Sequence, residues 1–162
     1  MIEAIVAVYA DWGIGSGGTQ PLVISEDRRH FRDVTQGAAV IVGRKTLADF
    51  PGGRPLKGRE NIVLSRSAAE IEGAILARSA AEALEKAKEF EKVFVIGGAS
   101  VYSALFPHVE RVYVTKIGAK PHSDVFFANL DEDLGWKLAE HGEERESDGV
   151  KYSFLVYERS GV

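Results

Sequence analysis

An α/β fold, one domain built on a mostly parallel sheet, is what the order of segments in this chain predicts. Three observations carry that reading. Short runs rich in Val, Ile and aromatic residues alternate with amphipathic stretches through most of the chain, the pattern of strands joined by helical crossovers. The last two such runs have no helix between them: Glu143–Gly149 (EERESDG) is polar and ends in Asp-Gly, the loop of an antiparallel hairpin. Finally, 162 residues with 45% hydrophobic content can close one core, and no linker, repeat or low-complexity segment marks a second domain.

The elements follow in order. Strands are expected at Ile2–Tyr9, Ala39–Val42, Asn61–Leu64, Ala74–Ala77, Val93–Ile96, Val112–Ile117, Trp136–His141 and Tyr152–Tyr157, where β-branched and aromatic residues dominate. Helices are expected at Ser25–Val34, Lys45–Phe50, Ser79–Phe90 and Ala99–Phe106; in the third, Ala80, Ala83, Leu84, Ala87 and Phe90 form an apolar stripe at helical spacing. The result is a single domain over 1–162. Its mixed, mostly parallel eight-stranded sheet ends in an antiparallel hairpin strand, with four helices on the two faces.

Composition excludes several classes of function. A net charge of −4 argues against nucleic acid or an anionic membrane surface as partner. With no cysteine there is no disulfide framework and no thiolate chemistry, as in a reducing compartment. The N-terminal apolar run carries Glu3 and no basic leader, so it reads as a strand rather than a signal peptide. No run approaches the roughly 18 apolar residues of a membrane span. Histidines at 30, 108, 122 and 141 lack metal-ligand spacing. A cytoplasmic monomer without a metal is the expectation.

The segment QPLVISEDRRHF places two carboxylates side by side at a helix start. Ser25 reads as the N-cap, so Glu26 and Asp27 occupy the first turn, where acids complement the helix dipole. Their faces differ. Ile24, Asp27, Phe31 and Val34 recur at helical spacing, whereas Glu26, Arg29, His30 and Asp33 fall on the opposite side, towards water. Asp27 among apolar residues is the candidate for binding or proton chemistry, because burial favours the neutral carboxyl and makes it titratable in a useful range. Glu26 is not.

Two strand-to-helix turns also carry chemistry. VIVGRKT runs a strand into Gly43-Arg44-Lys45-Thr46; VFVIGGASVY runs a second into Gly97-Gly98. Glycines permit close backbone approach, and free N–H groups at the turn favour anionic oxygen. Ligands of open α/β sheets lie at the carboxyl ends of the strands, so the pair suits a dinucleotide pyrophosphate. Neither turn is a GxGxxG or Walker A loop, and an ordinary connection is the alternative. Arg44, Lys45, Arg66 and Arg78 follow three strand ends. Such cations suit a further phosphate, or else lie solvated at the surface.

Taken together these residues resemble the dihydrofolate reductase family nearly end to end. The set comprises Ala7, then Gly13-Ile14-Gly15; Pro21 with Asp27 and Phe31; Gly43-Arg44-Lys45-Thr46; Arg54 to Arg66; Ile96-Gly97-Gly98 with Tyr102; Tyr113-Val114-Thr115-Lys116-Ile117; and Ser123-Asp124. Single matches are weak, but the ordered set is specific. The resemblance implies reduction of 7,8-dihydrofolate to tetrahydrofolate by NADPH. It implies that Asp27 holds the pterin and favours protonation of its ring nitrogen, with Thr115 supporting the carboxylate. Ile5, Phe31, Phe50, Leu56 and Ile96 would wall the pterin and benzoyl rings, with Tyr102 beside them, and Arg59 would grip the substrate's α-carboxylate as a fork. Ala7, Ile14 and Gly15 would touch the nicotinamide side. Gly43, Arg44, Lys45 and Thr46, with the backbone of Ile96, Gly97, Gly98, Ala99, Ser100, Val101 and Tyr102, would hold phosphates. Leu64, Ser65, Arg66 and Arg78 would take the adenosine end and its 2′-phosphate.

The chain departs from the family pattern in places. Leu22 stands where many members have tryptophan, Gln20 where an apolar residue is frequent, and the 12–19 loop carries four glycines. Leucine has no indole N–H to order water near Asp27. A wider pterin end and weaker binding of diaminopyrimidine antifolates are therefore expected. Two other readings stay open here: a reductase of the same fold acting on another pterin or a ribosylaminopyrimidine, and a non-catalytic nucleotide- or folate-binding module.

Overall fold

The computed structural model of the chain describes residues 1–16, 20 and 22–160. Gly17, Gly18 and Thr19 of the glycine-rich loop, and Pro21, lie outside the described residues. The main sheet contains β1 (Ile2–Val8), β3 (Ala39–Gly43), β4 (Glu60–Leu64), β5 (Ile75–Ala77), β6 (Val93–Gly97), β7 (Val109–Ile117), β9 (Trp136–His141), β10 (Arg145–Ser147) and β11 (Val150–Arg159). A separate antiparallel ribbon joins β2 (Gly13–Gly15) to β8 (Val125–Phe126).

The order is β10-β11-β7-β1-β6-β3-β4-β5, with β9 also on β11. Every pairing from β7 to β5 is parallel, and β11 runs antiparallel to β7, β9 and β10. The central strands β3 and β6 are apolar along their whole length, as strands covered on both faces must be. All eight expected strands form. A ninth, β10, lies in the stretch read as hairpin loop. It reverses into β11 at Asp148 and Gly149, both with positive φ (50° and 81°), the tight turn that Asp-Gly favours.

Alternation along the strands divides the core. Ala4 and Val6 of β1, Ile41, Ile62, Val95 and Val112 point to one face, where they meet Ala83 and Ala87 of α3 (Ala80–Ala87) and Val101 and Leu105 of α4 (Ala99–Leu105). Ile5, Val40, Val42, Val63, Phe94 and Ile96 point to the other, covered by Phe31 and Val34 of α1 (Ser25–Thr35) and Leu47 of α2 (Arg44–Ala48). Period-two burial thus puts two helices on each face.

Helix ends differ from expectation for local reasons. Ser25 does not cap α1: Ile24, extended at φ −109°, holds that place without a side-chain bond, and its carbonyl accepts from Asp27 N. Ser79 does cap α3, its Oγ accepting from Glu82 N at 3.1 Å. Helix α2 stops at Ala48, before a 3-10 turn at Pro51–Gly53 whose Gly52 has φ 68°, and α4 yields at Leu105 to the turn containing Pro107. Proline cannot continue either helix.

Candidate active site

A cleft of about 1360 Å³ opens at the carboxyl ends of the parallel strands. Its apolar end is built by β1, β6 and α1: Ile5, Ala7, Ile96 and Phe31 line it, with Phe50 beyond α2. Asp27 is set among these side chains by α1. Its Oδ1 accepts a 2.5 Å hydrogen bond from Thr115 Oγ1, which is fully buried on β7. Strand register explains the reach, because Thr115 pairs with Ala7 on one side and Phe154 on the other, on the face that α1 covers. Burial pushes the Asp27 carboxyl up from the usual carboxylate value; the Thr115 bond and the nearby His30 charge pull the other way. Tyr102 closes the same end, its hydroxyl donating to Ile5 O at 2.7 Å, and burial raises that phenol well above the usual range.

The opposite end is polar and open. The two turns interlock: a Cβ on Gly43 would meet Val101 Cγ2 at 3.1 Å, and one on Gly98 would meet Thr46 Oγ1 at 3.0 Å. Gly97 takes φ 121°, a conformation reserved for glycine; the Gly97–Gly98 peptide is cis. Arg44, Lys45 and Arg66 are exposed at the rim and make no ion pair among the described residues. Arg78 donates to Ser65 O at 3.3 Å, which brings the ends of β4 and β5 together.

Between the ends, Ile14 and Gly15 of β2 form part of the wall. Their strand enters through Trp12, which is buried and holds φ 66°, a strained value for a bulky residue that needs support from its surroundings. Support comes from two side chains that share Asp131. Lys116 Nζ sits 4.6 Å above the indole and pairs with Asp131 at 3.0 Å, while Tyr157 packs edge-on against Trp12 and donates to Asp131 at 2.7 Å. Gly13 has no room for a side chain, since a Cβ there would lie 2.3 Å from Ser123 Oγ.

The structure thus gathers in one cleft Ile5, Ala7, Ile14, Gly15, Asp27, Phe31, Phe50, the whole of 43–46, Leu64, Ser65, Arg66, Arg78 and the whole of 96–102. Thr115 stands behind Asp27 and does not line the cleft. Leu56 and Arg59 also lie off the lining. Leu56 packs on the core, and Arg59 donates to Thr35 Oγ1 at 3.2 Å and Lys57 O at 3.0 Å. Buried Asn61 fixes that loop, accepting from Leu56 N and donating to the carbonyls of Leu56 and Arg59.

Two sequence-based expectations require correction. Leu22 does not face the cleft: Tyr9 Oη clamps both its N–H and its C=O at 3.2 Å, and its side chain packs on the Tyr9 cluster. Val23 and Gln20 line the cleft from that segment instead, and Gln20 Nε2 donates to Ala7 O at 3.0 Å. The antifolate argument built on Leu22 therefore loses its geometric basis. His30, expected towards water, is half-buried and stacks on Phe154 at 4.1 Å. Arg28, Asp49, Ser79 and Asp124 were not singled out as site residues, yet they line the cleft. Two of them carry a signal in the sequence: Arg28 by its place beside Asp27 on an amphipathic helix, and Asp124 by its place in the set that resembles the family.

The sequence matches known proteins along nearly its whole length. The sequence model of a family described as "Dihydrofolate reductase" matches residues 1–159. The chain is 37% identical to the dihydrofolate reductase of Bacillus subtilis, covering 98% of this chain and 95% of that one. It is 37% identical to the enzyme of that name from Neisseria meningitidis, over 98% of both. Identity to the Mycobacterium tuberculosis protein of the same name is also 37%, over 99% of both.

Proposed function

The chain belongs to the dihydrofolate reductase family, oxidoreductases that reduce dihydrofolate to tetrahydrofolate, and we propose that its cleft does so with NADPH and with Asp27 holding the pterin. The observation that carries this reading is the placement of Asp27: a carboxylate held by Thr115 among Ile5, Ala7, Phe31 and Ile96, in a pocket that opens onto two interlocked glycine turns.

The residues present fit a nucleotide. Gly43 and Gly98 leave backbone open where a Cβ would crowd the opposite turn. Arg44, Lys45, Arg66 and Arg78, with Ser65, place cations and a hydroxyl around that end, the donor set a phosphate-rich ligand needs. NADPH supplies the hydride when bound.

The chain orients and polarises. Thr115 occupies one lone pair of Asp27 Oδ1 and aims the carboxylate, whose remaining acceptor sites take the amino group and ring N–H of the pterin. Its negative charge favours protonation of the neighbouring ring nitrogen, which makes the adjacent carbon a better hydride acceptor. Ile5, Phe31, Phe50 and Ile96 exclude water around the rings, where low local dielectric strengthens that charge effect. To Arg59, outside the lining, we assign the substrate carboxylate that would project beyond the cleft.

Mixing purified protein, NADPH and dihydrofolate and following loss of reduced-nicotinamide absorbance tests the reading. Turnover with dihydrofolate, and none with a ribosylaminopyrimidine, is expected. Cofactor binding without turnover would overturn it.

A further inference from the structure

Four residues form a closed ring around the cleft's acid. Asp27 and His30 lie three apart on α1, so their side chains share one side of the helix. Thr115 of β7 and Phe154 of β11 are direct cross-strand partners. Thr115 binds Asp27, and Phe154 carries the His30 ring at 4.1 Å with only 25° between the planes. One helical turn on α1 therefore matches one cross-strand pair on the sheet, and both rungs must close together. The aromatic rung fixes His30 in a half-buried position beside the carboxylate.

From this arrangement we infer that His30 is a positioning residue for Asp27: held on Phe154, it titrates as a pair with the carboxylate and sets the pH below which the cleft loses its anion. The inference rests on the reading of Asp27 as the pterin's anion.

The charges around His30 give the direction. Asp27 and Asp33 on its own helix favour the imidazolium, while Arg145 of β10, whose guanidinium lies 5.7 Å from the Phe154 ring, disfavours it; Phe154 and Thr115 bring no charge. Burial is the largest influence on both members and acts oppositely, lifting the Asp27 carboxyl and lowering the imidazole. Their titrations are thereby brought towards each other, and each charged form favours the other. A proton arriving on His30 then holds Asp27 ionised to lower pH than burial by itself would allow.

Two measurements test this. The limb of the kcat/KM pH profile for dihydrofolate that Asp27 governs reports the free enzyme's ionisation, and His30→Phe keeps a ring on Phe154 but removes the charge. That limb should move up by about half a pH unit or more. An unmoved limb overturns the inference. Independently of activity and of that variant's folding, the His30 ring-proton signal can be followed by NMR titration, its resonance identified by absence in His30→Phe. Asp27→Asn should lower the His30 pKa by about half a unit or more, because the neighbouring anion is gone. A His30 titration indifferent to Asp27→Asn overturns the pairing itself. Full turnover by Asp27→Asn would instead overturn the assignment of Asp27, and so separates the two failures.

Discussion

The two ends of the cleft are prepared in opposite ways. At the acid end the polar groups set among apolar side chains have protein partners: Asp27 with Thr115, Tyr102 with Ile5 O, Gln20 with Ala7 O. At the phosphate end Arg44, Lys45 and Arg66 extend into solvent without an ion pair among the described residues. Desolvation accounts for the contrast. A buried polar group left without a partner costs about 1–3 kcal/mol, so the apolar end must be satisfied before any ligand arrives. Exposed cations are hydrated and can await theirs. One end is preorganised for chemistry; the other is assembled around its ligand.

The largest effect should come from the acid. Asp27→Asn removes the anion but keeps the shape, and hydride transfer at neutral pH should fall by roughly 10²–10⁴. Stopped-flow measurement should show partial recovery in acid, where the substrate protonates unaided. Stability moves the other way. The folded-state pKa of Asp27 is raised, so its contribution is most favourable below the unfolded value and is lost as pH rises through the folded one. Asp27→Asn should therefore melt at a higher temperature than the parent at neutral pH. A variant that is both inactive and less stable would break the picture of a strained, preorganised acid end.

Next in size is the phosphate end. Arg66→Ala should weaken NADPH by about 1.5–3 kcal/mol, the worth of a charge-assisted hydrogen bond, and leave NADH nearly unaffected, as titration calorimetry can check. Equal weakening of both cofactors would show that Arg66 does not read the 2′-phosphate.

Thr115→Val sharpens the contrast at smaller cost. Loss of the hydroxyl removes an influence that lowers the Asp27 pKa, so the limb of the kcat/KM pH profile that Asp27 governs should shift to higher pH. The loss of transition-state stabilisation should be about 1 kcal/mol. An unshifted limb would mean that the carboxylate finds another donor.

Smallest of all, Glu26→Gln should change activity and stability by no more than about 0.5 kcal/mol. That side chain does not line the cleft. An inactive Glu26→Gln would show that the two faces of α1 had been interchanged.

Legibility in the sequence followed the range of the interaction. Every expected strand forms, because β propensity and alternation are local signals. Asp27 could be separated from Glu26 because helical period places it with Phe31 and Val34. His30, grouped with Glu26 on the watery face, lies one turn from Asp27 as well, so the period does not decide its side; the surface that claims it is Phe154, on a strand more than a hundred residues later. Ser25 had the right chemistry for a cap, but Ile24 took the capping position through its backbone. β10 was lost to a polar composition that an edge strand tolerates, since only pairing with β11 makes it a strand.

By itself the sequence determined the alternation of strands and helices, the terminal hairpin, the glycines at two strand ends and the acid on an apolar helix face. All of these depend on neighbours within a few residues. Family resemblance named Thr115 as the support of Asp27, but only tertiary structure brings the two together, turns Leu22 to Tyr9 so that Val23 and Gln20 line the cleft, and stands Arg59 off the lining. Those choices follow from strand register and from the pairing of buried polar groups across 88 residues for Asp27 and Thr115. Local propensity carries no information at that separation, because the two partners meet only after the sheet has closed.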